Sequence, residues 1–216
     1  MRFGVLGTGV VGRTIATKLV GLGHEVWMGS RVAGNESASA WAAESGDAAS
    51  EGDFAAAAGF GEVVVNATAG TASLEVLRAV GAEVLAGKVL IDVANALDFS
   101  RGMPPVLAFC NDDSLGERIQ REFAEARVVK TLNTVNAEVM VDPALAGGET
   151  DVFVCGDDEE AKAQVTGLLG DFGWGSVVDL GDITAARGAE MYLPLWLRLF
   201  GAKGTGHLNV KVVSAA

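Results

Sequence analysis

The chain opens on an apolar run, Arg2-Phe3-Gly4-Val5-Leu6, followed by the glycine-spaced turn Gly7-Thr8-Gly9-Val10-Val11-Gly12. From residue 13 to 20 the apolar positions recur at helical spacing. After Gly21-Leu22-Gly23-His24 a second apolar run, Glu25-Val26-Trp27-Met28, ends at Gly29-Ser30-Arg31. This pattern predicts strand, tight turn, helix and strand, a βαβ unit. Downstream, residues 35–60 are rich in Ala, Ser and Gly, with Trp41, Phe54 and Phe60 as apolar anchors. A helix is expected there at 37–44, a weak edge strand at 47–50 and a short helix at 54–58. Residues 62–67 and 88–93 read as strands apolar on both faces, as in a parallel sheet covered by helices. A helix at 73–80 separates them.

Residues 94–113 contain Pro104-Pro105 and form a long connection, of a length usually found in functional or mobile segments. Ser114, with Glu117 three residues on, predicts the capped start of a helix reaching about residue 126. A strand at 127–131 and a helix over 133–141 follow, the latter stopped by Asp142-Pro143. A second unit begins at 151–155, with a helix at 159–169, a short strand at 177–180, an apolar helix over 184–200 bent or interrupted by Pro194, and a last strand at 208–213. Alternating strands and helices with apolar strands imply an α/β fold, a Rossmann-type doubly wound parallel sheet with a small α/β carboxyl-terminal domain. The expected division is a dinucleotide-binding domain at 1–142 and a small domain at 143–216.

A chain of 216 residues, 50% hydrophobic and 20% charged, is long enough for a sizeable core. Its formal net charge of −12 argues against nucleic acid or an anionic membrane as a partner. An anionic ligand must then be drawn in by local positive charge. The first strand starts at residue 2, so no signal peptide is read, and no apolar run reaches membrane-spanning length. Cys110 and Cys155 lie apart, without metal or redox spacing, and read as free thiols of a cytoplasmic protein. No metal site is expected.

The glycines of the first turn have separate tasks. Gly7 permits the tight turn, Gly9 lets backbone approach a pyrophosphate, and Gly12 lets the helix lie close to the sheet. The helix then offers N–H groups and its positive dipole end to phosphate. The end of the second strand selects the dinucleotide. A carboxylate there would hold a ribose 2′-hydroxyl and repel a 2′-phosphate. Ser30 and Arg31 instead offer a hydroxyl and a guanidinium, which attract it. The expected cofactor is NADP(H).

Ligands of open α/β sheets bind beyond the carboxyl ends of the strands. This rule gathers Thr8, Gly9, Val10 and Val11; Ser30 and Arg31; Asn66, Thr68, Ala69 and Gly70; Ala94, Asn95 and Ala96; and Leu132, Asn133 and Thr134. The set contains no His, no Cys, and no Lys–Asp or Ser–Lys pair. His24 falls at the opposite sheet edge and reads as structural. His207 lies in a glycine-rich turn, where a surface role and an approach to a cofactor are both open. Glu138 and Asp92 are plausible carboxylates, but a single Asp at a strand end commonly caps backbone. No catalytic acid or base is assigned. Such a site suits hydride transfer between two redox cofactors, for which the protein supplies proximity and orientation.

These motifs resemble the coenzyme F420-dependent NADP oxidoreductases, whose dinucleotide-binding domain is also similar to that of the STEAP metalloreductases. The elements that carry the resemblance are Gly7-Thr8-Gly9-Val10-Val11-Gly12, Gly29-Ser30-Arg31, Asp92-Val93-Ala94-Asn95, Lys130-Thr131-Leu132-Asn133-Thr134, Val154-Cys155-Gly156-Asp157-Asp158 and Gly204-Thr205-Gly206. The resemblance implies direct hydride exchange between NADPH and a deazaflavin, coenzyme F420, in a groove between the two domains. It assigns Ser30 and Arg31 to the 2′-phosphate, Asn133 and Thr134 to the region of the two rings, and Gly204, Thr205 and Gly206 to the second ring. The family often has a further basic residue just after the clamp, where this chain has Val32-Ala33-Gly34-Asn35. Arg187, Arg198 and Lys203 are the candidates to receive the deazaflavin's anionic tail, with solvated surface charge the alternative. The apolar segment 191–200 is either a pocket wall or a core or dimer face. Two other functions stay open: an NADPH-dependent flavin (FMN or FAD) or metal reductase, and an NADP-sensing binding protein without turnover.

Overall fold

The computed structural model describes residues 1–215; Ala216, the last residue of the expected small domain, lies outside the described residues. The first βαβ unit is β1 (Arg2–Leu6), α1 (Val10–Gly21) and β2 (Glu25–Ser30). Then come α2 (Glu36–Ser45), β3 (Ala49–Asp53), α3 (Phe54–Phe60), β4 (Val63–Asn66), α4 (Ser73–Val80), α5 (Ala82–Leu85) and β5 (Val89–Asp92). The long connection is not featureless, since β6 (Leu97–Asp98) and β7 (Val106–Leu107) pair within it as a small antiparallel ladder. It leads to α6 (Leu115–Glu122), β8 (Arg127–Thr131), α7 (Ala137–Val141), β9 (Val152–Cys155), α8 (Glu159–Phe172) and β10 (Val177–Asp179). Two 3-10 turns, Pro143–Ala146 after α7 and Ile183–Ala185 after β10, together with α9 (Ala186–Met191) and α10 (Leu193–Lys203), complete the elements.

All eight main strands share one sheet, in the order β10-β9-β8-β5-β4-β1-β2-β3. From β3 across to β8 every pairing is parallel, and the winding reverses between β1 and β4. That reversal opens a crevice beyond their carboxyl ends. The parallel sheet expected from the sequence needs one amendment: β9 runs antiparallel to β8, pairing Lys130 with Cys155, while β10 is parallel to β9.

Successive strand residues point to opposite faces, and both faces are covered. Phe3, Val5, Val63, Val65, Val89 and Ile91 pack with Ile15, Leu19 and Trp41 of the first two helices and with Val165 and Leu169 of α8. Leu6, Val64, Leu90 and Val128 face the other way, onto Ala57, Leu77, Leu115, Ile119 and Ala186. Each large apolar side chain buried this way contributes about 1.5–3 kcal/mol.

Two expected elements differ, and a third takes one of the two forms expected of it. Residues 133–136 are not helical; Leu132 has φ +60°, and α7 starts only after Asn136, whose side chain accepts the Val139 N–H at 2.9 Å. The carboxyl-terminal strand expected at 208–213 does not form. That segment lies as an irregular strap, its Val210 carbonyl accepting the Asp151 N–H at 3.0 Å. Local β-forming residues are present, but their backbone groups bond largely to side chains of residues 150–151 instead of a ladder. The apolar 184–200 helix is broken at Tyr192 into α9 and α10, with Pro194 in the first turn of α10, where its missing N–H costs nothing. Ser114 does cap α6, accepting the Glu117 N–H at 3.1 Å and donating its hydroxyl to the Glu117 carboxylate at 2.8 Å.

Candidate functional site

The first turn has the shape its glycines require. Gly7 has φ +122°, and a Cβ there would lie 2.5 Å from the Ala67 carbonyl oxygen. A Cβ on Gly12 would lie 2.1 Å from the Gly7 carbonyl oxygen, so only glycine allows α1 to start this close to β1. Around the Cβ position of Gly9, by contrast, there is no atom within 4 Å. Gly9 is also the N-cap of α1 and supplies no capping side chain. Open space above Gly9 and uncapped N–H groups fit a phosphate at this helix end.

Beside this turn lies a groove of about 500 Å³ lined by Gly7, Thr8, Gly9, Arg31, Phe54, Ala67, Thr68, Ala69, Ala72, Glu75, Val76 and Ala79. The structure thus brings together the expected Gly7, Thr8, Gly9, Arg31, Thr68 and Ala69. Phe54 and the α4 residues escape a search of strand ends alone. The signal for the latter was present, because 72, 75, 76 and 79 follow the i, i+3, i+4, i+7 spacing of one helix face. Val10 and Val11 belong to the first turn of α1; Val10 is 62% exposed.

Several expected residues act from behind the surface. Ser30 is buried, and its hydroxyl donates to the Val32 carbonyl at 2.5 Å and accepts the Val32 N–H at 3.3 Å. It shapes the turn that presents the exposed Arg31, and its own hydroxyl is engaged within that turn. Asn66 is fully buried, and its amide donates to Ser73 Oγ at 3.0 Å and Asp92 Oδ1 at 2.8 Å. Ala94, Asn133 and Thr134 are also buried. Asn133 donates to Asn95 Oδ1 at 3.0 Å, while Asn95 donates to the Asn133 carbonyl at 2.8 Å. This reciprocal pair ties the ends of β5 and β8. A Cβ on Gly70 would lie 2.3 Å from the Asn95 carbonyl carbon, so the loop after β4 rests on the loop after β5. The strand ends therefore do converge.

The carboxyl-terminal turn lies elsewhere on this rim. Gly204 closes α10 in the left-handed conformation at φ +68°, Thr205 is exposed, and Gly206 packs on the Asn136 side chain. His207 pairs there with Glu138. His24 is half-buried at the amino edge of the sheet, its ring 5.1 Å from that of Phe3. Burial lowers its pKa. Among the tail candidates, Arg187 is already engaged, donating from Nε to Glu117 at 2.9 Å, and this bond holds Glu117 below the usual carboxylate range. Arg198 and Lys203 are exposed on α10. That helix buries only Leu193, and leaves Leu195 and Phe200 about half exposed.

Asp92 has a larger role than backbone capping. Its Oδ1 does accept the Ala94 N–H at 3.2 Å, but its Oδ2 meets the ammonium of Lys130 at 2.8 Å, with both side chains fully buried. Among the described residues no group of three or more His, Cys, Asp or Glu side chains forms a metal site, and no helix is long and apolar enough to cross a membrane.

Comparison with known proteins gives this geometry its context. Residues 2–96 match the family described as NADP oxidoreductase, coenzyme F420-dependent. An F420-dependent NADP reductase of Methanocaldococcus jannaschii is 31% identical over 170 residues, spanning 76% of this chain and 70% of the relative. The chain belongs to the F420-dependent NADP oxidoreductase family. A crystal structure of a candidate F420-dependent NADP reductase from Arthrobacter sp. FB24 is 54% identical, with a TM-score of 0.94 over 99% of this chain and 100% of that one. The metalloreductase STEAP3 of Rattus norvegicus is 30% identical over 90% of this chain, which spans 38% of that longer protein. An imine reductase from Aspergillus terreus, solved in complex with NADPH4 and dibenz[c,e]azepine, shares the fold at TM-score 0.67 and 20% identity over 94% of this chain and 62% of that one. The chain is an NADP-dependent oxidoreductase, which removes the binding-protein alternative.

Proposed function

We propose that this oxidoreductase transfers a hydride directly between NADP(H) and the deazaflavin coenzyme F420. The observation that carries the proposal is a groove with a guanidinium at the end of β2 and, among its lining residues, no acid–base pair, within a chain of the F420-dependent family. When bound, the two cofactors supply the redox chemistry themselves: NADPH gives a hydride, and the deazaflavin takes it with a proton from solvent.

The protein's residues bind and orient. The N–H groups at the start of α1 and the open face of Gly9 receive the pyrophosphate. Arg31 meets the 2′-phosphate through charge-assisted bonds, and its positive charge counters the repulsion expected from a chain of net charge −12. Phe54 and Val76 give the groove an apolar side. The Asn95–Asn133 pair fixes the two strand-end loops over which the reacting rings would lie. The second ring is assigned to the rim carrying Gly204, Thr205 and Gly206.

Stopped-flow mixing of the protein with NADPH and coenzyme F420 tests the reading. Loss of nicotinamide absorbance coupled to loss of the oxidised deazaflavin band is expected. No deazaflavin-dependent oxidation of NADPH overturns it, and faster reduction of FMN or FAD would move the reading to the flavin reductase alternative, which the STEAP3 likeness keeps in view.

A further inference from the structure

Behind the groove, where β4, β5 and β8 end, polar side chains form a continuous path to α9. Thr68, in the groove lining, donates its hydroxyl to Asn66 Oδ1 at 2.7 Å. Asn66 donates to Asp92 Oδ1 at 2.8 Å. The Lys130 ammonium donates to Asp92 Oδ2 at 2.8 Å and to the Ala94 carbonyl at 2.5 Å, and lies 3.0 Å from Glu190 Oε1. Glu190, on α9, accepts the N–H groups of Leu115 and Gly116 at 2.8 and 3.1 Å, in the first turn of α6. Beside it, Asn133 donates to the Ala189 carbonyl at 3.0 Å. Two residues of α9 are thus held by two side chains from the end of β8.

The ionic part of this path is fully enclosed: the side chains of Lys130 and Asp92 are 0% exposed and that of Glu190 is 5% exposed. Burial disfavours the Lys130 charge, but Asp92 and Glu190 outweigh it and hold the ammonium's pKa above its ordinary value. Two carboxylates share one ammonium; Asn66 and the Ala94 N–H also donate to Asp92, and the α6 N–H groups donate to Glu190. Stability is a weak explanation for such a set, because packed apolar residues of similar volume usually stabilise as well or better. Its hydrogen bonds do something apolar packing cannot: they fix the direction of the Ala94 carbonyl and the seat of α9 at once.

We infer that Lys130 is a positioning residue that seats α9, and with it the α9–α10 arm, at the strand ends behind the groove, so that filling the groove and placing the arm are coupled. The inference rests on reading the groove as the NADP(H) site; its first test does not require the deazaflavin.

The test compares the wild-type chain with the variant Lys130→Met/Asp92→Asn/Glu190→Gln, which removes all three buried charges together, by amide hydrogen exchange, with and without NADP⁺. Residues 186–191 lie outside the groove lining. In the wild type, NADP⁺ is expected to slow their exchange by about threefold or more, and in the folded variant this ligand-dependent protection is lost. A merely structural role would change the exchange rate by the same factor with and without NADP⁺. Retained protection in the variant, or none in the wild type, overturns the inference. If the triple variant does not fold, Glu190→Gln, which keeps the Lys130–Asp92 pair, is read in the same way. Where the wild type reduces coenzyme F420, the variant's kcat is expected to fall roughly 10–100-fold, with the KM for NADPH within about threefold. An unchanged kcat also overturns the inference. Absence of F420 reduction by the wild type would count against the proposed function alone, since the exchange result stands without it.

Discussion

Around the first turn, backbone rests on backbone. A Cβ would lie 2.2 Å from Ala57 O if placed on Gly4, 2.1 Å from Gly7 O on Gly12, and 2.4 Å from Gly4 N on Gly61. The carboxyl-terminal strap is held instead by polar side chains. Asp151 accepts from Lys211 at 2.8 Å and from the Val212 N–H at 2.6 Å, Asn209 donates to the Asp151 carbonyl at 2.8 Å, and His207 pairs with Glu138. The first arrangement depends on missing side chains and leaves no room for adjustment. The second depends on charged pairs whose Lys211, His207 and Glu138 are partly exposed, so that screening weakens them. One region is therefore rigid and intolerant of a single added carbon; the other is released by pH or by loss of one charge.

The largest expected effect separates close packing from ligand space inside the groove itself. Gly12→Ala should cost about 3 kcal/mol of stability in urea denaturation, because the added carbon meets backbone that cannot move aside. Gly9→Ala should leave stability within about 0.5 kcal/mol, since no atom lies near its Cβ position. It should still weaken NADPH roughly tenfold by filling the space left for phosphate. Similar stability losses at both positions would erase the distinction.

Arg31→Ala comes next. With Ser30 turned into its own loop, Arg31 carries the 2′-phosphate contact from this turn, so NADPH affinity should fall roughly 10–100-fold while NADH affinity hardly changes. Isothermal titration with both nucleotides decides it, and equal losses would show that Arg31 does not read the 2′-phosphate.

The contrast between the regions also governs what could be read before the structure. The groove was legible because its geometry demands residue types: glycine at 7, 9 and 12, and no carboxylate at 30 or 31. Strand ends converge by topology, so Thr68, Ala69 and Asn95 could be named without knowing their contacts. Burial was not legible. Asn66, Asn133 and Thr134 sit at those same strand ends, yet their side chains point inward, and the two-residue period of a strand cannot show which of its last residues turns into the rim. Lys130 was visible only as part of a motif, because its partner Glu190 is 60 residues away in sequence and comes close only through the path of α9. Leu208 to Val213 has the composition of a strand, but what decides the conformation of the strap is Asp151, a long-range side chain.

Asp151→Asn should therefore act on the strap and spare the groove. Burial raises the Asp151 carboxyl, but the bond from Lys211 and the Val212 N–H prevail and hold it below the usual carboxylate range. A depressed carboxylate contributes stability above its unfolded pKa and loses it as pH falls through the folded value. The gap between wild type and Asp151→Asn should be full near neutral pH, at about 1 kcal/mol given the exposed Lys211, and should close on acidification below about pH 4. Thermal melts across that range check it, and a gap independent of pH would break the assignment to the ionised carboxylate.

The smallest effect asks whether the two regions open separately. Cys155 is buried on β9, three residues after Val152, while Cys110 is half-buried in the 94–113 connection. Burial pushes the Cys155 thiol up to about 12, against the pull of Lys130. Its thiolate is therefore scarce at pH 8, and an alkylating reagent should reach it only when the region around β9 opens. Releasing the strap by Asp151→Asn should speed Cys155 alkylation about fivefold, the factor that corresponds to about 1 kcal/mol, while amide exchange at residues 7–12 stays as in wild type. If the groove amides accelerate by the same factor, the two regions open as one unit, and the difference in how they are held does not become a difference in how they move.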